Sequence, residues 1–515
     1  MTLAHYFEGR EGRARHSVRA VGCLAKVGAH GVTRPTHTLR CNNLPFHPHS
    51  GGIPNAAKQP MPLHRYLKVL IAGCLLFLFA AVARPATTNA PQHYVFAHYM
   101  VCFSEYGQSL QGYQQEIQAA QAAGIDGFAL DVGEWNGPDW YYKTNVELMY
   151  DAAESLNTGF KLFFSVDMGA TNDIVQMISA YAHRSNSFYY SNRLVISSFL
   201  LNSMNWTNGV FQPLQTMGIS NIFFVPFFNT EAGFTWQTIG PGAAALLVEY
   251  PFLNGLFNFA AGVPTDVTNL DSGYGQACKS AGKLFMAGCS PTYWGFAQPT
   301  SGRPYFESQG GEGIALEWNW IIQNQPGWVE IVTWNDINES TYINPLPSPD
   351  QFYPSPTKRY SHAGYLELTK RYISWYKTGQ QLPITQDSLF YFYRTHSTNC
   401  VASNTNDVPV TAFLGNVQDD LYTTVLLTAP ANLEIISGNT TTTNSLPAGT
   451  TNLRTPFAAG AQQFTLRRAG VPLLSVQGPN VLSQITNNDY FTASGYAYAS
   501  GQMGPPTNLN ATSGK

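Results

Sequence analysis

The chain has 515 residues, of which 11% are charged and 44% are hydrophobic. An average globular chain has about 25% charged residues, so Ser, Thr, Asn and Gln must supply much of the polar surface here. The formal net charge of −3 and the lack of a basic stripe argue against a nucleic-acid-binding protein. The length favours two structured domains with processed ends.

The first 83 residues are predicted to lie outside the folded protein. Residues 61–83 have the parts of a secretory signal peptide: a basic start, the apolar stretch Val69–Val82 and the small residues Ala81-Val82-Ala83. That stretch is too short for an ordinary transmembrane helix, so we expect secretion without stable membrane insertion. Residues 1–60 lack hydrophobic periodicity and are interpreted as a non-native or disordered extension. A type II membrane anchor and a transit segment are the alternatives.

Cysteine use is consistent with a secreted protein. Four cysteines remain beyond the signal peptide, and they allow three disulfide pairings among which the sequence does not choose: Cys102, Cys278, Cys289 and Cys400. No Cys/His spacing typical of a metal site is present, so we predict neither a metal nor another cofactor. Sequons predict N-glycosylation at Asn205, Asn439 and Asn510.

Eight short apolar runs are predicted to be buried strands. They are Tyr94–Met100, Gly127–Val132, Phe160–Asp167, Arg193–Phe199, Asn221–Phe228, Gly255–Phe259, Lys283–Cys289 and Val329–Asn335. Helical periodicity is found in Gln111–Ala123, Thr144–Leu156, Asp173–His183 and Tyr365–Lys377. Alternating strands and helices predict an α/β fold, and eight strands favour a (β/α)8 TIM-like barrel over residues 90–382. No glycine-rich phosphate-binding motif follows the first strand, which disfavours nucleotide binding.

The character of the sequence changes after residue 386. Short strand-like runs occur at Leu389–Tyr393, Pro409–Leu414, Thr423–Leu427, Asn432–Ile436, Gln463–Leu466 and Pro472–Val476. Polar clusters such as Gly438–Ser445 separate them and are interpreted as turns. This spacing predicts a C-terminal antiparallel β-sandwich domain over residues 386–498. The polar residues 499–515 are predicted to form a disordered tail.

In a (β/α)8 barrel the active site lies at the C-terminal ends of the strands. The polar residues at those predicted ends are His98, Asp131, Glu134, Asp167, Asn229, Asn258, Ser290, Asp336 and Glu339. The aromatic residues near them are Trp135, Trp140, Tyr293, Trp294 and Trp334. Many carboxylates and aromatic rings without a metal motif are typical of a polysaccharide cleft.

The most informative segment is residues 329–345. Its β-branched run ends at Trp334 and Asn335, and Asp336 and Glu339 follow in the loop that leaves the strand. Glycoside hydrolysis needs two carboxyl groups, of which one protonates the leaving oxygen and the other activates water or attacks. The segment alone is equally consistent with a solvated polar turn.

The same segment resembles the signature of glycoside hydrolase family 71, the fungal α-1,3-glucanases or mutanases, which is Glu-Ile-(apolar)-Thr-Trp-Asn-Asp-x-x-Glu-Ser-x-Tyr-Ile-x-Pro. Further matches, in the family's order, are Val95–Val101, Ile125–Leu130 and Phe160–Asp167. The resemblance covers roughly residues 94 to 395. It implies a barrel catalytic domain and inverting hydrolysis by paired acids. We assign Glu339 as the general acid and Asp336 as the base, and the sequence leaves the opposite assignment open.

Five further residues are predicted to bind substrate: His98, Asp131, Asp167, Trp334 and Asn335. For each of them a purely structural role is the alternative, and Asp131 stands where family members more often have Asn. Two segments depart from the family. Residues 197–202 lack the acidic residue expected there, and residues 290–313 match weakly. Product length and linkage preference therefore stay open.

These observations predict a secreted, extracellular or cell-wall hydrolase of α-1,3-glucan that is monomeric and needs no cofactor. The polysaccharide is the predicted partner, with no nucleic acid. The alternatives are a hydrolase of a different α-glucan, a catalytically inert carbohydrate-binding barrel and a structural wall protein. A substrate panel separates the first, and binding without product release would identify the second.

Overall fold

The computed structural model describes residues 93–137, 141–229, 242–259, 261–295, 303–345 and 360–500. The predicted N-terminal extension, the signal peptide and residues 501–515 of the predicted tail lie outside the described residues. All of the described residues belong to one compact unit.

A nine-stranded sheet forms the centre of the first part of the chain. Its strands are β1 Tyr94–Met100, β2 Gly127–Val132, β3 Lys161–Val166, β4 Tyr189–Tyr190, β5 Arg193–Ser198, β6 Ile222–Phe224, β7 Gly255–Phe257, β8 Leu284–Cys289 and β11 Trp328–Ile331. The strand order is β4-β5-β3-β2-β1-β11-β8-β7, with β6 also paired with β5. Every pair is parallel except β4 with β5. All eight predicted strands are therefore present, together with the short strand β4.

The sheet is strongly curled. Backbone hydrogen bonds run from Asn254 N–H to the Phe224 carbonyl (2.9 Å) and from Phe257 N–H to the Pro226 carbonyl (2.8 Å). They connect the segments of β6 and β7, which stand at opposite ends of the strand order. The six residues of β2 are all buried, as expected for a parallel strand covered on both faces.

Helices follow most of the strands. They are α1 Leu110–Ala122, α2 Tyr141–Leu156, α3 Thr171–Tyr181, α4 Gln212–Thr216, α5 Gly242–Glu249, α6 Pro264–Ser280, α7 Gly310–Asn324 and α8 Ala363–Thr378, and a π-helical turn, Trp206–Phe211, precedes α4. The first helix begins where the Ser109 hydroxyl accepts the Gly112 N–H (3.0 Å). The last ends at Gly379, whose φ of 70° is readily adopted by glycine. None of the described helices is long and apolar enough to cross a bilayer.

The C-terminal part consists of antiparallel sheets. Its longer strands are β12 Ser388–Arg394, β14 Asp420–Leu427, β15 Ala431–Ser437, β16 Thr440–Leu446, β17 Gly449–Pro456, β18 Gly460–Arg468, β19 Val471–Val481 and β20 Thr492–Tyr498. They form two four-stranded sheets, β17-β14-β12-β20 and β16-β15-β18-β19. Leu389, Val425, Ile435 and Phe464, from both sheets, belong to one buried cluster. The predicted α/β class with a separate antiparallel part is confirmed.

A small third sheet joins the two parts of the chain. It consists of β9 Tyr293–Trp294, β10 Pro304–Phe306 and β13 Ala412–Leu414, in the order β13-β10-β9. Trp294 and Tyr305 pack in one buried cluster with Phe491 from the C-terminal part.

One predicted turn is wrong. Gly438–Ser445 was expected to be a turn cluster, but most of it forms β16, which pairs with β15 from Ser437↔Thr440 to Ala431↔Leu446. Gly438, with a φ of 57°, takes the tight hairpin turn that precedes the strand. The threonines that follow are β-branched, which favours an extended backbone even where they face solvent.

Candidate active site

Asp336 and Glu339 lie in the loop that follows β11, residues 332–341, which we call the acid loop. The Thr333 N–H donates to the Thr341 carbonyl (2.9 Å), which holds the two arms of the loop side by side. At the turn, the Asp336 N–H donates to the Thr333 hydroxyl (2.7 Å) and the Thr341 N–H donates to the Asp336 carbonyl (3.1 Å). The loop is therefore fixed by its own backbone and by threonine hydroxyl groups. The peptide bond between Val332 and Thr333 is cis.

Asp336 is buried, with only 7% of the residue exposed. Its Oδ1 accepts the Glu339 N–H (3.1 Å). Burial raises the pKa of Asp336 to about 6, and the nearby Asp131 carboxylate adds to this increase while His98 opposes it. A carboxyl group with a pKa near 6 is mostly ionised at neutral pH and can accept a proton there.

Glu339 is half-buried. Its backbone carbonyl accepts the Trp294 N–H of β9 (2.9 Å), so the far side of the loop is tied to the third sheet. The two acids therefore differ in environment: one is almost fully desolvated and the other reaches solvent.

His98, at the end of β1, is held between two carboxylates. Its Nδ1 lies 2.7 Å from Glu330 Oε1, and its Nε2 lies 3.1 Å from Asp131 Oδ2. Burial lowers the pKa of His98, but the hydrogen bonds and charges of Asp131 and Glu330 outweigh it and raise the pKa to about 10. The imidazole therefore carries a proton on both nitrogens and donates to both acids.

Each of these two acids uses only one of its carboxylate oxygens to bind His98. Asp131 Oδ1 and Glu330 Oε2 are buried and have no hydrogen-bond partner within the described part of the chain. Because His98 fixes Asp131 through Oδ2, Oδ1 is the atom left for another donor. Asp131 is predicted to bind substrate, and this free acceptor is compatible with that prediction.

Trp334 and Asn335 point into the protein. Trp334 is fully buried, its indole N–H donates to Glu116 Oε2 (2.8 Å), and its ring packs on Phe128. Asn335 is equally buried, and its amide both accepts the Met100 N–H (2.8 Å) and donates to the Met100 carbonyl (3.0 Å). Both side chains are buried in this structure, and their contact with substrate stays a prediction. Asn335 connects the start of the acid loop to β1, and Trp334 connects it to α1.

The remaining predicted residues are dispersed along the strand ends. Asp167 is half-buried directly after β3, and Glu134 is exposed after β2. The Asn258 amide donates to the buried Asp271 (2.7 Å), and the Ser290 N–H donates to the buried Glu317 (2.9 Å), so these two ends are tied to helices. Trp140 lies outside the described residues.

Sequence reasoning missed Glu330 and Glu116. Both are fully buried acids, one inside β11 and one on α1. A charged residue inside a strand predicted to be fully buried was the available signal for Glu330, because such a residue needs a partner. For Glu116 the helical pattern gave no such signal.

Comparison with known proteins shows which family this chain is similar to. The profile described as "Glycosyl hydrolase family 71" matches residues 91–502. The glucan endo-1,3-α-glucosidase agn1 of Schizosaccharomyces pombe is 30% identical, with 82% of this chain and 98% of that protein covered. A mutanase of Penicillium rubens is 29% identical (78% and 89% covered), and the ascus wall endo-1,3-α-glucanase of S. pombe is 28% identical (77% and 93% covered).

Proposed function

The chain belongs to glycosyl hydrolase family 71, and on that premise we propose that it hydrolyses α-1,3-glucosidic linkages in fungal cell-wall glucan. Two of the relatives are named for that linkage. The observation that carries the proposal is the acid loop, where Asp336 is buried with a raised pKa and hydrogen-bonded to the backbone of Glu339. A desolvated carboxyl group beside a more solvated one suits acid–base chemistry at one bond.

In the proposed reaction, Glu339 donates its proton to the glycosidic oxygen as the bond from that oxygen to the anomeric carbon breaks. Asp336, ionised above a pKa of about 6, takes a proton from water while the water oxygen bonds to the anomeric carbon from the opposite face. The product then has the inverted, β configuration. A raised pKa also suits a proton donor, so the opposite assignment of the two acids is the alternative.

Substrates with a good leaving group separate the two assignments. An aryl glycoside needs little protonation of its leaving oxygen, so the variant that lacks the general acid keeps much of its activity on that substrate. The variant that lacks the base stays inactive, because water still has to be activated. We expect Glu339→Gln to behave in the first way and Asp336→Asn in the second. The reverse pattern would exchange the two roles.

We propose that the surrounding residues position these acids and the sugar. Asp131 offers Oδ1 to a sugar hydroxyl group or to the attacking water, and His98, fixed by Glu330, sets the orientation of Asp131. Asp167, half-buried at the end of β3, is a second candidate for substrate contact. Trp334 and Asn335 act through packing and hydrogen bonds to β1 and α1.

The finer architecture is also a proposal. The hydrogen bonds between the β6 and β7 segments support closure of the parallel sheet into a (β/α)8 barrel over residues 90–382. The buried cluster shared by the two four-stranded sheets supports a β-sandwich over residues 386–498. The signal-peptide pattern of residues 61–83 supports secretion, and the ascus wall relative supports an extracellular or cell-wall location. We propose a monomer.

The test is incubation of the chain from Thr87 onward, purified from a secreting host, with insoluble α-1,3-glucan. Reducing ends measure hydrolysis, and NMR of the first products gives their anomeric form; β products support inversion. Asp336→Asn and Glu339→Gln should remove nearly all activity while circular dichroism shows a folded protein. Glu249→Gln, at an exposed glutamate on α5, is the control and should keep full activity. Near wild-type turnover in either acid variant would overturn the assignment, and glucan binding without product release would favour the inert carbohydrate-binding barrel.

A further inference from the structure

A groove of about 300 Å³ lies between α7, α8 and the first four-stranded sheet. Its lining includes Asn319, Arg371, Tyr372, Trp375, Gln381 and Asn452. None of these residues belongs to the acid loop or to the group around His98. The groove is therefore separate from the candidate active site, at the junction of the α/β part with the C-terminal sheets.

Two aromatic rings form one wall of the groove. Tyr372 and Trp375 are three residues apart on α8, so they share one face of the helix, and both are half-buried. The Tyr372 ring stacks on the buried Trp318, with 6.4 Å between the ring centres and 22° between the planes. This packing holds the ring in place before any ligand binds. Aromatic faces pack well against the C–H faces of sugars because those faces are apolar.

Several polar groups in the groove have hydrogen-bonding capacity that the described residues do not fill. Asn452 Oδ1 accepts the Thr424 hydroxyl (2.7 Å), which fixes the amide. The Asn452 NH2 group, the Asn319 amide and the Trp375 indole N–H make no hydrogen bond with the described residues, although all three side chains are half-buried. Donors and acceptors arranged beside aromatic rings are the groups that bind a ligand rich in hydroxyl groups.

The described lining of the groove has one charged side chain, and its guanidinium group is already hydrogen-bonded to the backbone. Arg371 is the only ionisable residue in the described lining besides Tyr372, and it donates to the Leu382 carbonyl (2.6 Å). Burial lowers the pKa of Arg371. No acidic side chain belongs to the described lining. A neutral polysaccharide matches this combination of groups.

We propose that this groove is a second glucan-binding site that holds a short stretch of an insoluble α-1,3-glucan chain while the acid loop cleaves elsewhere. The ligand class rests on the proposed function. A site of this kind raises the local concentration of the enzyme on a solid substrate without adding a contact at the cleaved bond.

Adsorption separates this site from the cleft. All proteins in this experiment carry Asp336→Asn to prevent hydrolysis. We titrate insoluble α-1,3-glucan with this inactive protein, with and without Trp375→Ala. Losing the ring should weaken adsorption about two- to tenfold, the range for one aromatic contact. Trp375→Phe keeps a ring and should recover most of the adsorption. Tyr189→Ala removes an exposed aromatic residue outside the groove and should change nothing.

Activity supplies the second readout. With Asp336 intact, Trp375→Ala should hydrolyse insoluble glucan more slowly and a soluble α-1,3-oligosaccharide at the wild-type rate. Equal adsorption of wild type and Trp375→Ala would overturn the proposal. If Trp375→Ala fails to fold, Asn452→Ala replaces it, with the same two outcomes. Wild-type protein that adsorbs through the groove but releases no product would refute the proposed hydrolysis while supporting the second site.

Discussion

Glu116 is a buried acid that is hydrogen-bonded to Trp334 in the acid loop, and its ionisation should change the free energy of unfolding. Its Oε2 accepts the Trp334 indole N–H (2.8 Å), and its Oε1 accepts the Tyr99 hydroxyl (3.1 Å) and the Glu105 N–H (3.1 Å). The side chain is fully buried. Burial raises the pKa of Glu116 from 4.5 to about 7, against the opposing effect of these hydrogen bonds.

The raised pKa of Glu116 determines how strongly the free energy of unfolding depends on pH. Between pH 4.5 and 7 the folded protein holds a proton on Glu116 that the unfolded chain has lost, so the free energy of unfolding falls as the pH rises through this range. Each unit of pKa difference is worth about 1.4 kcal/mol, which gives a loss of about 3 kcal/mol by pH 7. Glu116→Gln keeps the shape of the side chain and cannot ionise. It should therefore remove this loss.

Urea unfolding at pH 4.5 and pH 7.5, followed by tryptophan fluorescence, measures the difference. A lost or misdirected amide hydrogen bond in Glu116→Gln affects both pH values equally, so the comparison between them isolates the ionisation. Relative to wild type, the variant should gain about 3 kcal/mol on going from pH 4.5 to 7.5. Glu249→Gln, at an exposed site, should gain nothing. An equal change at both pH values would refute the reasoning.

Two further predictions concern the same loop. Asp131→Asn removes a negative charge that raises the pKa of Asp336. In wild type, kcat/KM should fall below about pH 6, and in the variant this fall should occur at lower pH. A shift to higher pH would contradict the prediction. Trp334→Phe removes the N–H that Glu116 accepts and should cost about 1–3 kcal/mol at pH 8, where Glu116 is ionised, and less at pH 5. Urea unfolding at the two pH values checks it, and an equal loss at both would argue against the carboxylate as the partner.

The parallel strands could be predicted from the sequence because they are buried on both faces. Such strands are continuous apolar runs, and all eight were located, from Tyr94–Met100 to Trp328–Ile331. The strands β16, β17 and β20 were missed because their composition is polar or small. In β16, Thr440–Leu446, only Leu446 is buried. A half-exposed strand of threonines differs little from a loop in composition, and pairing with its neighbour decides the structure.

For the candidate site, the sequence located the loop but not the directions of its side chains. The order Trp334, Asn335, Asp336 gives no indication that the first two turn inward. The partners of a buried acid are also invisible, since Glu330 meets His98 across 232 positions and Glu116 meets Trp334 across 218. Such pairs are brought together only by the curled sheet and the helix packed on it.

The ionisable groups around β11 favour folding at low pH. Burial raises the pKa of Glu116, Glu330 and Asp336, and the carboxylate partners of His98 raise its pKa. Each group binds more protons in the folded state than in the unfolded state. Their contribution to stability is therefore largest below the unfolded pKa of each group and is lost as the pH rises through the folded one.

Asp387, in the C-terminal part, acts in the opposite direction. Burial alone would raise the pKa of Asp387, but hydrogen bonds from Arg468 and Thr428 outweigh it and lower the pKa below 3.8. That contribution is lost when the pH falls through the lowered value.

The melting temperature should therefore peak at about pH 4–5 and fall towards pH 8. Because Asp336 must lose its proton to act as a base, kcat/KM should still be rising near pH 6, where stability is already falling. A melting temperature that rises steadily from pH 5 to pH 8 would show that burial of these acids does not control stability, and would remove the physical basis for a desolvated base at the end of β11.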